Sequence, residues 1–529
     1  MKLNKNLLGL LILIVFQYNH SQAQFNYSFQ IDTFRIAEAA RLHSFSFGRI
    51  ADTLLIFGGR KDGLHDKASG FERDYSNRSL ILFDLSKNIA QTISLESLDS
   101  SLLESLSSSN TNFCQRDNKL IVLGGYGQNS KGNYVTYSRL IQIDLVQLLN
   151  LIAKKENINP AFKQISNDTF AIAGGQLKYI DNKFFLVGGH RFDGKYSNNS
   201  KGYFQTYTES AYLFNLVERG DSLQVIFQNR IRDELNFHRR DFNLCPFVTE
   251  RNKVEPVAFS GVFLVNENRP FLNISSIQSD NYTDIPNFNQ RLANYQCAKI
   301  GFYSSSQDQM NEVFFGGMAE YYYDSTKNLI RDPLIPFVNT ISRVERDSSG
   351  LYQEFALQNT MPGYIGTNAE FILNSKIKLY DEEIVALDEL NSDSIFIGSI
   401  LGGIYNYSNH RNAFQDSVVS FTQCNPYLLK VNLIKVQPTK INEYPISIKN
   451  EPIELLPNPI HEKAKLRFEK EYNKITLWLL NAEGKLISEY RFKNKTEIEI
   501  SMDLLPSGSY HFYYLINEIQ FGKINFLKL

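Results

Sequence analysis

The 529-residue sequence is short of what most recognisable chemistries require. It holds four cysteines, Cys114, Cys245, Cys297 and Cys424, and none belongs to a Cys-x-x-Cys pair. A cluster-type zinc site is therefore unsupported. Buried free thiols are expected, with a Cys245–Cys297 disulfide as the alternative in an oxidising space. Beyond the amino-terminal 23 residues, histidines stand at 43, 65, 190, 238, 410, 461 and 511, without His-x-x-x-His or His-Glu-x-x-His spacing. No metal site can therefore be read from the sequence, and no cofactor is evident. There is no Gly-x-Ser-x-Gly nucleophile elbow and no Gly-x-Gly-x-x-Gly between a strand and a helix, so hydrolase and dinucleotide signatures are missing too. The 55 basic and 56 acidic residues leave a net charge of -1, too little field to draw the chain to nucleic acid or to an anionic membrane. Nowhere does an apolar run approach the roughly 20 residues of a spanning helix.

What is present points to strands and to export. A single Trp stands against 39 Phe and 29 Tyr, a composition suited to a β-rich globular chain. Lys2 and Lys5 precede an apolar run from Leu7 to Phe16, and a polar stretch then ends in Ser21-Gln22-Ala23. This is the order of a secretory signal peptide over residues 1–23, with cleavage expected after Ala23.

The middle of the chain repeats one phrase, a short apolar strand running into paired glycines. It appears as Leu54–Gly59, Leu120–Gly125, Phe184–Gly189 and Val313–Gly317, with weaker copies at Val257–Gly261 and Ser399–Gly403. The copies recur at intervals of 56 to 86 residues, the mark of a repeat architecture. A second strand phrase follows several of them, as in Leu80–Leu85, Leu140–Leu145 and Ala211–Leu216. Each unit is therefore a small antiparallel sheet that must stack on its neighbours to cover its faces, and radial closure protects the sheet edges. The glycines are expected where a strand near the axis leaves little room and where the next turn needs a positive φ.

This phrase, together with Arg41-Leu42-His43-Ser44 ahead of the first copy, resembles the kelch repeat. The resemblance implies a β-propeller over residues 24–437, of six blades with room for a seventh between Gly317 and Gly402. Phe25–Ile36 and Tyr427–Val436 are expected to pair in one closing blade.

From 438 to 452 the chain is polar, carries Pro438, Pro445 and Pro452, and reads as a linker. Beyond it, closely spaced strand signals predict a small immunoglobulin-like β-sandwich over 453–529. Pro457-Asn458-Pro459, the turn at Gly484-Lys485, the Pro506-x-Gly508-x-Tyr510 stretch and the terminal Lys528 are similar to the type A sorting domain of the type IX secretion system. That resemblance implies a Bacteroidota-like source, the type IX secretion machinery as partner, and a secreted or surface-attached protein.

Strand direction predicts that the loops following the glycine pairs gather on one face. Those loops carry Tyr203, Tyr207 and Tyr321 among many tyrosines, the kind of side chain that recognition surfaces favour. Arg41, His43, Arg60, His190, Arg191, His238, Arg239, Arg240 and Asp241 are expected on the same face. The cluster His238-Arg239-Arg240-Asp241 reads either as an ion pair fixing neighbouring blades or as a ligand contact. Two functions follow as expectations: a binding module for extracellular glycan or protein, or a carbohydrate-active enzyme of oxidase, mutarotase or hydrolase type. The second rests on the kelch-like rings that act on sugars.

Overall fold

The computed structural model describes residues 25–529 apart from 65–70, 196–201, 221, 325–327, 409–420, 437–442, 446–452, 458, 483 and 517–519. The expected signal peptide lies outside the described residues. The chain is all-β, built from many small sheets.

Six sheets have a core of four antiparallel strands. The first comprises Ser46–Ile50, Thr53–Phe57, Ser79–Asp84 and Ile89–Ser94. The second holds Asn112–Arg116, Lys119–Leu123, Arg139–Asp144 and Phe162–Ser166. The third holds Gln176–Ile180, Lys183–Val187, Ser210–Arg219 and Ser222–Arg232, and the fourth Asn243–Glu250, Lys253–Phe259, Ile274–Ile277 and Tyr282–Asp284. Ala298–Ser304, Gln309–Phe315, Thr340–Arg346 and Tyr352–Thr360 make the fifth. The sixth combines Tyr364–Leu373, Ser394–Asn406 and Tyr427–Lys435 with the amino-terminal strand Tyr27–Arg35, registered from Tyr27 opposite Lys435 to Arg35 opposite Tyr427.

The wide interval between Gly317 and Gly402 holds no further four-stranded sheet among the described residues. Its extra length forms the hairpin Leu379–Asp381 and Ile384–Ala386, which joins the edge of the fifth sheet parallel to Ala298–Ser304. Part of the expected linker is also structured, since Glu443–Pro445 pairs with Tyr352–Thr360 on the opposite edge of that sheet.

Two closed circuits of backbone hydrogen bonds tie the six sheets together. In the first, the N–H groups of Asn110, Gly174, Asp241, Gln296, Asn368 and Ser44 donate to the carbonyls of Ser44, Asn110, Gly174, Asp241, Gln296 and Asn368, over 2.7 to 3.5 Å. The circuit returns to its start after six members. In the second, the last glycine of each repeated phrase donates to a loop or first-strand carbonyl of the next sheet: Gly59 to Ser108, Gly125 to Ile172, Gly189 to Arg239, Gly261 to Asn294, Gly317 to Ile365 and Gly403 to Leu42.

The paired glycines thus seam one sheet to its neighbour, which refines the expectation that they relieve crowding near an axis. A Cβ on Gly124, whose φ is +70°, would collide with the Ile172 carbonyl oxygen. Gly124→Val should therefore destabilise the chain by at least about 2 kcal/mol, combining positive-φ strain with the displaced seam. Urea unfolding of the variant would measure it, and an unchanged midpoint would show that the seam yields freely.

Carboxyl-terminal residues form a three-stranded sheet (Ile453–Leu456, Lys463–Tyr472, Lys495–Ser501) and a four-stranded one (Ile475–Asn481, Leu486–Phe492, Gly508–Ile516, Gln520–Lys528). Leu466, Leu477, Leu479 and Phe512, all buried, pack between them. Alternation explains the arrangement in strands such as Lys495–Ser501, which has one apolar face to cover, whereas Ile475–Asn481 is buried on both faces.

Candidate functional site

The residues of the first circuit stand immediately ahead of, or within, the first strand of each sheet. A φ of about +50° recurs at Ser44, Asn110, Asp241 and Asn368, with Gly174 at +66°. This kink turns the preceding residue and its own side chain toward the common centre. There they floor a cavity of about 340 Å3 whose wall includes His43, Asn110, His190, Arg240, Asp241, Thr367 and Asn368, with the rings of Phe71, Tyr126, Phe192, Phe263 and Tyr295.

Four of the residues expected to bind are therefore brought together: His43, His190, Arg240 and Asp241. Burial lowers the pKa of both histidines, so both imidazoles are neutral at neutral pH. Gln205 Nε2 donates to His190 Nδ1 at 2.7 Å, which places the imidazole proton on Nε2. Arg240 is held by Tyr207, whose hydroxyl oxygen accepts from Nε at 3.2 Å, and by Asp241 at 3.4 Å; its guanidinium lies 5.5 Å from the Phe263 ring centre. Burial raises the Asp241 carboxyl above its usual range despite Arg240 beside it and a bond from Asn110 Nδ2. Two buried polar atoms of the wall, Thr367 Oγ1 and Asn368 Oδ1, make no hydrogen bond among the described residues. Buried polar atoms are normally satisfied, so these two leave hydrogen-bonding capacity unused in residues that line the cavity.

The other expected binding residues are placed differently. Arg60 is buried, paired with Asp62 and stacked on Phe71, behind the cavity wall. Asp62 also stands 3.6 Å from His43 Nε2. Burial alone would raise the Asp62 carboxyl, but His43 and Arg60 beside it bring it down to about 2. The Tyr207 ring stacks on His238 at 3.7 Å, and His238 Nδ1 lies 3.0 Å from Glu209. Tyr203 stacks on Phe192 at 4.7 Å, so both tyrosines support the wall from outside. Arg191 is exposed and paired with Asp193, while Arg41 leaves its Nε without a bond among the described residues. Tyr321 is buried away from the cavity, beside Leu272 and Leu292.

Arg239 is a separate case. It is fully buried, donates to the Asn236 and Ser260 carbonyls at 2.6 and 2.9 Å, and lies 4.3 Å from the Phe271 ring centre. Its role is structural. Sequence reasoning missed Phe263, Tyr295, Thr367 and Asn368. A signal existed in the constant distance of Ser44, Asn110 and Gly174 ahead of their glycine pairs, but longer strands in the fourth and fifth sheets and the inserted hairpin before the last glycine pair break that spacing.

All four cysteines are buried free thiols. No helix among the described residues is long and apolar enough to cross a membrane, and no group of three or more His, Cys, Asp or Glu among them could hold a metal ion.

At the other end of the chain, Asn481 and Lys485 close the turn containing Gly484, whose φ is +77°. The Tyr510 hydroxyl donates to the Pro506 carbonyl at 2.8 Å, and Gly508 stands opposite Lys528 in register. Residues 454–520 match the family model described as the secretion system C-terminal sorting domain. The carboxyl-terminal segment is a type IX secretion sorting domain. The protein is accordingly secreted or displayed at the cell surface, and the type IX machinery is involved in its export.

No curated protein matches the chain. A solved structure titled "Structure of YjhT" is similar at 10% identity and a TM-score of 0.41, covering 77% of this chain and 97% of that one.

Within the sorting domain Pro457 and Pro459 are exposed, and Asn458 lies outside the described residues. The domain docks on the third and fourth sheets. Glu234 N–H donates to the Gly484 carbonyl at 3.2 Å, and the Tyr513 hydroxyl lies 3.1 Å from Asp233 and 2.7 Å from the Tyr282 hydroxyl. Leu235 packs with Trp478, Leu480 and Leu515. These contacts exceed what a polar linker alone would suggest.

Proposed function

We propose that residues 24–437 form a six-bladed kelch-type β-propeller, joined through 438–452 to an immunoglobulin-like sorting sandwich over 453–529 and exported behind a signal peptide at 1–23. The closed six-member backbone circuits support the ring. We read the propeller as a binding protein whose site is the cavity at the mouth of its axis, taking a ligand of about monosaccharide size. The observation that carries this reading is the convergence in one cavity of five aromatic rings, one guanidinium and two buried polar atoms without partners among the described residues. Rings that cover an apolar sugar face, with polar atoms at their edge, suit a glycan terminus better than a broad protein surface would. A ligand of that size fills the cavity, and Tyr203 and Tyr207, expected on a recognition face, serve as its support.

Titrating the full chain against a monosaccharide panel tests the reading. Arg240→Ala and Phe263→Ala should each weaken binding by about tenfold or more with the melting temperature largely retained. Arg239→Ala, by contrast, should cost the fold itself, because it strips a buried hydrogen-bonding hub. Equal affinity in both cavity variants, with the fold intact, would move the site elsewhere. A second reading, a carbohydrate-active enzyme, is favoured by the Asp241 carboxyl, raised by burial and positioned in the same cavity as the neutral His190. Turnover of any bound sugar, abolished by Asp241→Asn, would decide for it.

A further inference from the structure

Beyond the backbone circuit, on the side away from the aromatic cavity, the common centre of the six sheets opens into a second cavity of about 490 Å3. Its wall comes from the first strand of every sheet, at positions a few residues further along than the circuit members. Side chains alternate along a strand, so pairs two apart such as Phe47 and Arg49, or Gln176 and Lys178, face this lumen together. The hairpin at 379–386 closes part of its far end, and Glu383 on that hairpin is tied to Lys178. Arg49 is likewise occupied, by the carbonyls of Ala51 and Leu373.

Two ionisable groups of the lumen have hydrogen-bonding capacity left among the described residues. Lys299 lines it yet makes no hydrogen bond or ion pair among the described residues. Glu312, on the paired strand and only 2% exposed, meets no donor among the described residues beyond the Cys245 thiol. Glu370 reaches the same space and accepts one bond, from Gln296 Nε2 at 3.1 Å. Lys299 and Glu312 feel the neighbouring charges of the lumen, Glu370 and each other, without hydrogen-bonding to them, so the ammonium and the buried carboxyl keep hydrogen-bonding capacity that something in the cavity can use. One ammonium, Lys299, faces the carboxyls of Glu312 and Glu370, so a monoanion that also carries a hydrogen-bond donor matches the lumen better than a dianion such as phosphate.

We propose that this lumen is a second binding site, for a small carboxylate that also carries a hydroxyl or amino donor. The ligand's carboxylate would sit on Lys299 and its donor between Glu312 and Glu370. Phe47 and Phe113, edge to face at 5.4 Å, and Phe371 form the apolar part of the wall.

The test titrates the full chain calorimetrically with glycolate and gluconate as hydroxy acids and with glycine and alanine as amino acids; acetate and inorganic phosphate serve as controls. At least one donor-bearing carboxylate should bind about tenfold or more tightly than acetate, and the pattern distinguishes the two sources. Lys299→Met should weaken that probe by at least about tenfold, and Glu312→Gln should narrow its advantage over acetate. Equal affinity in a folded Lys299→Met protein overturns the proposal, as does a panel in which nothing outbinds acetate. If Lys299→Met does not fold, a crystal of the native chain soaked in the best probe decides: density between Lys299 and Glu312 supports the site, and an empty lumen ends it.

Discussion

A chain lacking Phe25–Ile36 is expected to lose its cooperative fold. Those residues supply the outer strand of the sixth sheet, and their removal leaves the whole of Tyr427–Lys435 as an open edge. They also supply core. Phe29, 1% exposed, meets Phe315 edge to face at 5.3 Å, and Phe25 packs on Phe302 at 5.7 Å with the Arg343 guanidinium 5.0 Å from its ring centre. Truncating one buried Phe costs about 3 to 5 kcal/mol. Domains have about 5 to 15 kcal/mol in all, so losing two such rings, the buried Tyr27 and a strand pairing exhausts the margin. Thermal melts and limited proteolysis of the truncated chain would measure this. A melting temperature equal to that of the full chain would show that the circuits hold without the closing strand.

Replacing Glu312 with Gln should change how stability depends on pH. Burial is the largest influence on its carboxyl and raises it to about 8, well above the usual carboxylate range. Between about pH 4.5 and 8 the unfolded chain releases this proton while the folded chain keeps it, so the folded state loses stability as pH rises. Below that window both states are protonated and the penalty vanishes. The Gln variant carries no such proton. It should match the native chain near pH 4 and exceed it near pH 8 by about 2 kcal/mol or more, since a tenfold change in a protonation equilibrium is worth about 1.4 kcal/mol. Urea unfolding of both proteins at the two pH values would show it, and a difference that does not vary with pH would mean that Glu312 ionises freely in the fold. Gln also keeps the shape of the lumen wall, so a large loss at both pH values would indicate a packing defect.

How much of this was legible in the chain depended on range. The repeated phrase could be read because a strand followed by residues that need positive φ is a local pattern, and each copy marks the second strand of one sheet. The sorting segment could be read for the same reason, its turn at Gly484-Lys485 and its Pro506–Tyr510 bend being set by neighbours in sequence. The pairing of Tyr27–Arg35 with Tyr427–Lys435 followed from counting strands at the two ends.

The site was only half legible. Arg239 and Arg240 are adjacent in sequence, yet one is sealed in the core and the other faces the cavity, because the kink at Asp241 decides which way each turns. Tyr321 has the composition of a recognition residue but is covered by Leu272 and Leu292 from two loops distant in sequence. Lys299, Glu312 and Glu370 carry no motif at all; the first two come from paired strands of the fifth sheet and the third from the sixth, and they meet because those sheets converge on one centre with a register no local pattern encodes.

The sequence by itself determined the strands, the repetition and the export tail, because local dihedral preference and short-range hydrophobic alternation are enough to specify each, while the number of four-stranded sheets was left to the structure. Only the tertiary structure decided which polar side chains share a cavity. That depends on the seam bonds between sheets and on the closing of the circuit, and closure is a property of all six sheets at once.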